Sequence, residues 1–273
     1  MVTKRTNEEL VLGGYTPMEA HVWKKGGCLI APPNTLAGTW ESREAYIQEP
    51  WREPPKVIID EREVAISVHN SIHKQNEHTM VYTDGSGYQG YIGAAAVIPA
   101  LNVQSTECIG TEGTSTVYAG EGCGIKLALK SLLRLKRDRE IKKPVIFSDS
   151  QASLRTLMNP RMVSGQLYIH DCIRLLQDCI DEGIDVTFRW IPGHEGVPGN
   201  EAADRAAKKV AIQGVRREVV PGDISTGGWI MLGAAAKRRI RQSAKDAWER
   251  SWDKQKSGKP TKKLVTRPSK RTV

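Results

Sequence analysis

Apolar and polar positions divide the chain into one regular part and two irregular ends. Residues 76–213 alternate short β-rich runs with segments of helical periodicity, whereas residues 1–75 show no sustained period of either kind. Residues 214–273 contain at most one helix, from about residue 229 to residue 252. The pattern therefore predicts one folded domain at residues 76–213 between a linker and a tail.

The predicted domain begins with a run of strands and then alternates helices with strands. Strands are predicted at residues 79–84, 91–99, 102–109, 144–149 and 184–191. Helices are predicted at residues 117–135, 150–158, 167–182 and 198–212. We expect the first three strands to form an antiparallel meander and the last two to be added by crossover helices. This order is typical of an α/β layer arrangement.

Both ends of the chain are rich in residues that interrupt regular structure. Pro-Pro pairs at 32–33 and 54–55 favour an irregular Pro/Gly-rich linker over residues 1–75. Within this linker, residues 51–55 either dock on a neighbouring domain or lie in solvent. The tail at 214–273 is expected to be partly helical or disordered.

Charge changes this picture because it is unevenly distributed. The chain has 40 Lys and Arg against 31 Asp and Glu, a net charge of +9, which indicates a polyanionic partner such as nucleic acid or an anionic membrane surface. However, residues 215–273 carry 16 basic and 5 acidic side chains, whereas residues 76–213 carry 15 and 16. The positive charge therefore belongs to the tail, and the predicted domain is nearly neutral.

Two protein classes are excluded by the apolar residues and the cysteines. No stretch approaches 18 consecutive apolar residues and the first ten residues are polar, so we expect no membrane span and no secretion, and a nuclear or cytoplasmic location. The five cysteines contain no C-x-x-C pair, which argues against a disulfide framework or a thiolate zinc site. Cys172 and Cys179, seven residues apart, are expected to pack in a core.

Four acidic residues occupy positions where a carboxylate is costly. Asp84 and Asp149 each continue an apolar row at the end of a predicted strand, because side chains alternate with period two. Glu121 and Asp204 each share a helix face with apolar residues. All four are predicted to face inward, although a single acid of this kind is more often a solvated charge or a helix cap.

Inward carboxylates from four elements need cations to hold them together. Oxygen ligands without a Cys or His framework suit Mg²⁺ or Mn²⁺. Two such ions can activate a water molecule and stabilise the leaving oxygen of an in-line phosphodiester displacement.

The acids lie in four motifs that follow one another in a fixed order. The motifs are YTDGS at 82–86, VYAGE at 117–121, FSDSQ at 147–151 and WIPGHEGVPGNEAAD at 190–204. The last is the most specific, and the sequence resembles ribonuclease H type 1, in particular the domain carried in polyproteins of fungal non-LTR retrotransposons. The resemblance covers about half of the chain.

This resemblance implies a fold, an activity and roles for individual residues. It implies a ribonuclease H-like fold with a five-stranded mixed sheet flanked by helices, and cleavage of the RNA strand of an RNA–DNA hybrid with two Mg²⁺ ions, for which Mn²⁺ can substitute. The implied metal ligands are Asp84, Glu121, Asp149 and Asp204, and His194 would assist water positioning, proton transfer or product departure. Gly85, Ser86 and Gln151 would contact the hybrid, where 2′-hydroxyl groups distinguish RNA from DNA. Asn200 and Glu201 are expected to support the loop or the helix start.

Two features depart from the family pattern. Gly120, Gly122 and Gly124 surround Glu121, so the pattern predicts that this acid sits on a frayed helical turn and that activity is reduced. No basic insertion separates the two helices at 150–182, and the basic residues between Lys126 and Lys143 either track phosphates or form a solvated helix end.

The flanking segments also resemble the retrotransposon context. Residues 26–32 and 51–55 look like the linker between reverse transcriptase and ribonuclease H, while no Tyr-x-Asp-Asp motif is present. We therefore expect a fragment or a truncated reading frame, a monomer, and the reverse transcriptase region of the same element as a partner.

Two other functions compete with the hybrid ribonuclease. One is a catalytically decayed domain that binds nucleic acid through its tail without cleaving it. The other is a transposase or integrase of the same broad fold, against which the order of the four carboxylates and the Gly-His-x-Gly loop argue.

Overall fold

A computed structural model describes residues 40–41, 54–139, 141–161, 163–216 and 229–254. The chain divides into two compact units, of which the larger comprises residues 36–235 and the other residues 1–35 with 236–273. Within the second unit, the described residues belong to the last helix.

Six strands and six helices make up the described part of the chain. The strands are β1 (Lys56–Ile58), β2 (Met80–Tyr88), β3 (Tyr91–Ile98), β4 (Val103–Thr111), β5 (Val145–Ser148) and β6 (Thr187–Trp190). The helices are α1 (Arg62–Gln75), α2 (Val117–Lys136), α3 (Gln151–Met158), α4 (Leu167–Asp181), α5 (Pro198–Arg216) and α6 (Gly233–Lys254). A single 3₁₀ turn, Pro99–Leu101, joins β3 to β4.

The strands form one mixed sheet in the order β1-β6-β5-β2-β3-β4. Strands β2, β3 and β4 pair antiparallel, whereas β1, β6, β5 and β2 pair parallel. The predicted α/β class is confirmed, with an antiparallel meander and later strands added by crossover helices. The sheet has six strands instead of the predicted five because β1 pairs with β6 at one edge.

The prediction that residues 1–75 are irregular does not hold for residues 56–75, which form β1 and α1. Strand β1 has only three residues, too few for a period to be visible. Helix α1 places Ala65 and Ile72 against the domain, but the buried position between them is His69, which interrupts the apolar stripe. The predicted linker residues 1–39 and 42–53 lie outside the described residues.

The sheet is covered on both faces. Helices α2, α3 and α4 pack on one face against Val81, Ile146 and Phe188. Helices α5 and α1 pack on the other face against Tyr82 and Phe147. Side chains from successive residues of β2 and β5 therefore serve opposite cores, as the alternation of a strand requires. Cys172 and Cys179 are fully buried in the first core, as predicted.

The C-terminal flank belongs in part to the larger unit. Leu232 and Ala235 are almost completely buried in a third apolar cluster that includes Tyr168. Glu41, which is 3% exposed, accepts hydrogen bonds from the backbone N–H groups of Gly165 at 2.9 Å and Gly233 at 2.7 Å. Three segments distant in sequence thus meet at one carboxylate.

Part of the predicted tail is helical, since α6 begins at Gly233. Residues 217–228 and 255–273 of the tail lie outside the described residues. Among the helices that the structure describes, none combines the length and the apolar character needed to cross a membrane.

Candidate acidic site

Three carboxylates converge at one end of the sheet. Asp84 lies in β2, Asp149 follows β5, and Glu121 lies on α2. One oxygen of each lies within 4.8 Å of an oxygen of the other two. The two aspartates come together because β2 and β5 pair in parallel with Tyr82 opposite Phe147, so the residues two positions later reach the same height.

Glu121 reaches the aspartates because α2 lies unusually close to the sheet. A Cβ atom on Gly85 would lie 2.1 Å from the backbone nitrogen of Glu121, and one on Gly124 would lie 3.0 Å from the carbonyl oxygen of Ala95. A Cβ on Gly120 would similarly lie 3.2 Å from the carbonyl oxygen of Gly93. Glycines at these helix and strand positions are therefore required by the close approach of the two backbones.

The predicted frayed turn at Glu121 is wrong. Helix α2 is continuous from Val117, and the Thr116 hydroxyl caps it by accepting a hydrogen bond from the Ala119 N–H at 3.2 Å. Glu121 is 9% exposed. The helical cost of Gly120 and Gly124 is offset by contacts with the sheet that a longer side chain would prevent.

The fourth predicted acid, Asp204, lies at the same site but outside the cluster of three. It lines a cavity of about 280 Å³ together with Asp84, Glu121 and Asp149. Its Oδ2 accepts a hydrogen bond from Lys208 Nζ at 2.7 Å, one turn further along α5. A lysine ammonium group therefore already neutralises part of the negative charge in this cavity.

Burial and mutual repulsion raise the pKa values of the clustered carboxyl groups. Burial, followed by the charges of Asp149 and Asp204, raises the pKa of Asp84 to about 7. Burial and the nearby Asp84 carboxylate raise the pKa of Glu121 well above its ordinary value. Burial also raises the pKa of Asp149, against the effect of a hydrogen bond from Asn200. The site therefore disfavours ionised carboxylates unless a cation joins them.

The donor set fits a hard divalent cation. Asp84 Oδ2 and Glu121 Oε2 are buried and have no hydrogen-bond partner among the described residues. Buried carboxylate oxygens without partners are costly, and an oxygen-only set of ligands is what Mg²⁺ and Mn²⁺ prefer. The unpartnered carboxylate oxygens and the raised pKa values thus both indicate that this site can bind a cation.

Of the other predicted residues, His194, Gly85 and Ser86 line the cavity. His194 is exposed and has a left-handed backbone conformation (φ +58°) in the loop before α5. Gly85 also allows β2 to pack closely against α2, in addition to any contact with nucleic acid. Gln151 is not among the residues that line the cavity, and its Oε1 accepts a hydrogen bond from Arg155 at 2.9 Å.

Two residues that line the cavity, Asn200 and Lys208, are not predicted from the sequence to lie there. Asn200, expected to support the loop or the helix start, is 4% exposed, and its side chain lowers the pKa of Asp149. Lys208 pairs with Asp204. The i,i+4 spacing of Asp204 and Lys208 is a visible signal for an ion pair, and Asp204 is predicted to face inward, but the position of Lys208 at the cavity is not evident from the sequence.

The basic residues between Lys126 and Lys143 do not form one surface. Lys126 is buried and donates to Glu107 at 3.0 Å while lying over the ring of Tyr168. Lys130, Lys136 and Lys142 are exposed. A surface that binds nucleic-acid phosphates therefore cannot include Lys126. It can include only the exposed basic residues of this segment.

The raised pKa values predict a pH dependence of stability. A carboxyl group whose pKa is higher in the folded than in the unfolded chain retains a proton that the unfolded chain has released, so stability falls as pH rises between the two values. For Asp84 this window runs from its ordinary value of 3.8 to about 7. We expect the free energy of unfolding, measured by denaturant titration in EDTA, to be lower at pH 8 than at pH 5.

Saturating Mg²⁺ provides the control for this measurement, because a bound cation removes the repulsion and should flatten the pH dependence. A metal-free protein that becomes steadily more stable from pH 5 to pH 8 would contradict the electrostatic description of the cluster.

A curated relative and several solved structures are similar to part of this chain. Ribonuclease H1 of Mus musculus is 29% identical over 177 residues, and the alignment covers 59% of each chain, so the present chain spans less than two thirds of that relative. Among solved structures, LC11-RNase H1 in complex with an RNA/DNA hybrid is 18% identical with a TM-score of 0.36, covering 48% of this chain and 97% of that one. A foamy viral protease-reverse transcriptase in complex with an RNA/DNA hybrid is 16% identical with a TM-score of 0.37, covering 50% of this chain and 20% of that one.

The family model described as RNase H matches residues 76–212, half of the chain and the segment that contains all four acids. The chain belongs to the RNase H family.

Proposed function

We propose that this protein is an endoribonuclease that cleaves the RNA strand of RNA–DNA hybrids with the help of two Mg²⁺ ions. The observation that carries the proposal is the cluster of Asp84, Glu121 and Asp149, with oxygens within 4.8 Å of one another and two of them buried without partners. Membership of the RNase H family supports the same reaction class.

In this proposal the four acids hold the metal. Asp84, Glu121 and Asp149 would provide one group of ligands, and Asp204, which lines the same cavity, would provide a further ligand once Lys208 releases it. Bound divalent ions supply an activated water and stabilise the charge that develops during in-line displacement at a phosphodiester. Mn²⁺ is expected to substitute for Mg²⁺ because both prefer oxygen ligands.

His194 is proposed to move a proton or to assist departure of the product. Its side chain is exposed at the cavity, and its charge acts on Asp149, where it opposes the raised pKa of that carboxyl group. An exposed imidazole on a loop with Gly193 and Gly196 beside it can move between the metal-bearing acids and solvent.

Substrate selection is proposed to lie at the rim of the cavity. Ser86 lines the cavity, where its hydroxyl can meet a ribose 2′-hydroxyl group, and the missing side chain of Gly85 allows close approach of a backbone. Gln151 can join them only if its hydrogen bond with Arg155 opens. These contacts would favour an RNA strand over a DNA strand.

We further infer that the domain derives from a retrotransposon polyprotein and acts with its reverse transcriptase region. This inference is supported by the resemblance of residues 26–32 and 51–55 to the segment that joins the two enzymes. A genomic locus without a reverse transcriptase reading frame upstream would contradict it.

A cleavage assay with an end-labelled RNA–DNA hybrid and a titration of Mg²⁺ tests the proposed activity. The wild-type chain is expected to cut the RNA strand only in the presence of metal, and Asp149→Asn is expected to lose at least about 10³-fold in rate because a metal ligand is lost. Asp138→Asn, in the exposed turn after α2, serves as the matched control.

Equal rates for the wild type and Asp149→Asn would refute the catalytic proposal. Binding of the hybrid that weakens with salt, without any cleavage, would instead favour the catalytically decayed binding module.

A further inference from the structure

Helix α1 lies outside residues 76–212, the segment that matches the family, yet it contributes a buried polar residue to the domain. His69 is 4% exposed and lies on the same face of the sheet as Tyr82 and Phe147. A buried imidazole needs hydrogen-bond partners, so the groups that His69 contacts indicate which residues it holds in place.

The contacts of His69 determine its protonation. Its Nδ1 lies 3.2 Å from Asn70 Oδ1 and its Nε2 lies 2.8 Å from the hydroxyl oxygen of Tyr82. Because the amide oxygen can only accept, Nδ1 carries the proton, and Nε2 of the neutral ring accepts from the Tyr82 hydroxyl. Burial lowers the pKa of His69, which is consistent with a neutral ring.

The aromatic contacts connect His69 to both strands that bear acids. Its ring meets the ring of Phe147 edge-on at 5.0 Å and that of Tyr82 at 5.9 Å, while Tyr82 and Phe147 stack at 5.4 Å. Tyr82 and Phe147 are paired in register on β2 and β5. They stand two residues before Asp84 and Asp149, on the same side of their strands. The three rings therefore form the layer directly next to the acids.

Tyr82 also supports the start of α5. A Cβ on Gly199 would lie 2.2 Å from the ring of Tyr82, so the backbone of α5 rests directly on it. The next residue, Asn200, is buried, lines the same cavity as Asp149 and lowers the pKa of that carboxyl group. The position of the Tyr82 ring thus affects Asp149 by two routes, through Phe147 and through the start of α5.

A second contact from α1 reaches the loop before α5. Arg62, the first residue of α1, forms an ion pair with Glu195, the neighbour of His194. Just before α1, Asp60 accepts a hydrogen bond from Arg189 of β6 at 2.8 Å. The helix is therefore attached at its N-terminal end to β6 and the His194 loop and at its middle to the layer of rings.

We propose that α1 braces the acidic site and that His69 is a positioning residue, which holds the Tyr82 hydroxyl and thereby the strand ends that carry Asp84 and Asp149. The kinetic part of this proposal rests on the proposed hybrid cleavage, whereas its effect on metal affinity does not. An apolar side chain at position 69 would fill the space but leave the Tyr82 hydroxyl with only a weak contact, 3.9 Å from Met80 Sδ.

The test compares His69→Phe, which keeps a ring and removes the acceptor, with His69→Gln, whose amide oxygen can accept from Tyr82. Mn²⁺ affinity of the full chain is measured by calorimetric titration, and kcat and KM are measured with the hybrid. We expect His69→Phe to weaken Mn²⁺ binding about tenfold and to lower kcat with little change in KM, since loss of an outer-shell partner typically costs 10- to 100-fold. His69→Gln should recover most of both losses.

Two further variants keep the result decisive. Tyr82→Phe removes only the hydroxyl and should reproduce the loss of Mn²⁺ affinity even if His69→Phe does not fold. Ser67→Ala is the control on the exposed side of α1, away from the face that carries His69, and should bind Mn²⁺ and turn over as the wild type does.

Wild-type Mn²⁺ affinity in both His69→Phe and Tyr82→Phe would overturn the proposal, even if both variants melt at a lower temperature. If the wild type binds Mn²⁺ but cleaves no hybrid, the proposed function fails while the comparison of Mn²⁺ affinities still decides the role of His69.

Discussion

Asp84→Asn is expected to abolish hybrid cleavage and at the same time to make the metal-free protein more stable at pH 8. The two effects have one cause, because Asp84 is buried among like charges and its carboxylate is destabilising unless a cation offsets them. An amide of the same shape carries no charge and can donate a hydrogen bond to a neighbouring carboxylate. It therefore relieves the repulsion and removes the metal ligand in one substitution.

The sizes of the two effects differ. A pKa raised from 3.8 to about 7 corresponds to an upper limit of about 4 kcal/mol of destabilisation in the ionised, metal-free protein, part of which the amide should recover. Loss of a ligand should reduce the cleavage rate by at least about 10³-fold. Saturating Mg²⁺, which should raise the melting temperature of the wild type, should leave that of Asp84→Asn nearly unchanged.

Melting curves at pH 8 in EDTA and in Mg²⁺, combined with the hybrid assay, measure all three quantities. Asp138→Asn is the control and should match the wild type in each. An Asp84→Asn protein that is less stable than the wild type in EDTA would show that repulsion does not dominate this site.

Gly85→Ala is expected to be strongly destabilising and to lose metal binding, although it adds only one methyl group. The new Cβ would lie 2.1 Å from the Glu121 nitrogen and 2.4 Å from the Gly120 carbonyl carbon, both of them backbone atoms. Backbone atoms cannot move aside without shifting the whole of α2 or β2. Overpacking against fixed atoms costs about 3 kcal/mol or more, and displacement of α2 also withdraws Glu121 from the aspartates.

Gly87→Ala is the matched control on the same strand. Its Cβ would lie 3.2 Å from a methyl group of Val117, a side chain at an exposed position that can yield. Denaturant unfolding and Mn²⁺ titration of the two variants measure the difference. Similar stability and metal affinity for Gly85→Ala and the wild type would mean that α2 does not rest on β2 as described.

Sequence periodicity was sufficient to predict on which side of its own strand or helix a residue lies. Asp84 and Asp149 follow apolar rows in their strands, so the alternation of side chains predicts that both lie on one face, and parallel pairing of β2 with β5 brings them together. The core positions of Cys172 and Cys179 follow from the spacing of one helix in the same way.

Contacts between two secondary-structure elements could not be predicted from the periodicity of either one. Glycines in a helix indicate a weak helix if its neighbours are unknown, and only the contact of Gly120 and Gly124 with the sheet shows that they favour the site. Helix α1 escaped prediction because His69 is polar at a buried position, and its partner Tyr82 is 13 residues away. Long-range partners of this kind decide whether a polar residue is a surface residue or part of a core.

The carboxylate of Glu41 has a consequence for where the protein can be cut. The segment that matches the family ends at residue 212, but Leu232 and Ala235 beyond that limit are buried against it. Glu41, which precedes the segment, accepts hydrogen bonds from the backbone N–H groups of Gly165 and Gly233. A chain trimmed to residues 76–212 would expose the apolar surface around Tyr168 and remove the acceptor of the Gly165 N–H, so it should be less stable than the longer chain. The segment that matches the family is therefore shorter than the set of residues that pack together, and residues on both sides of it add buried contacts.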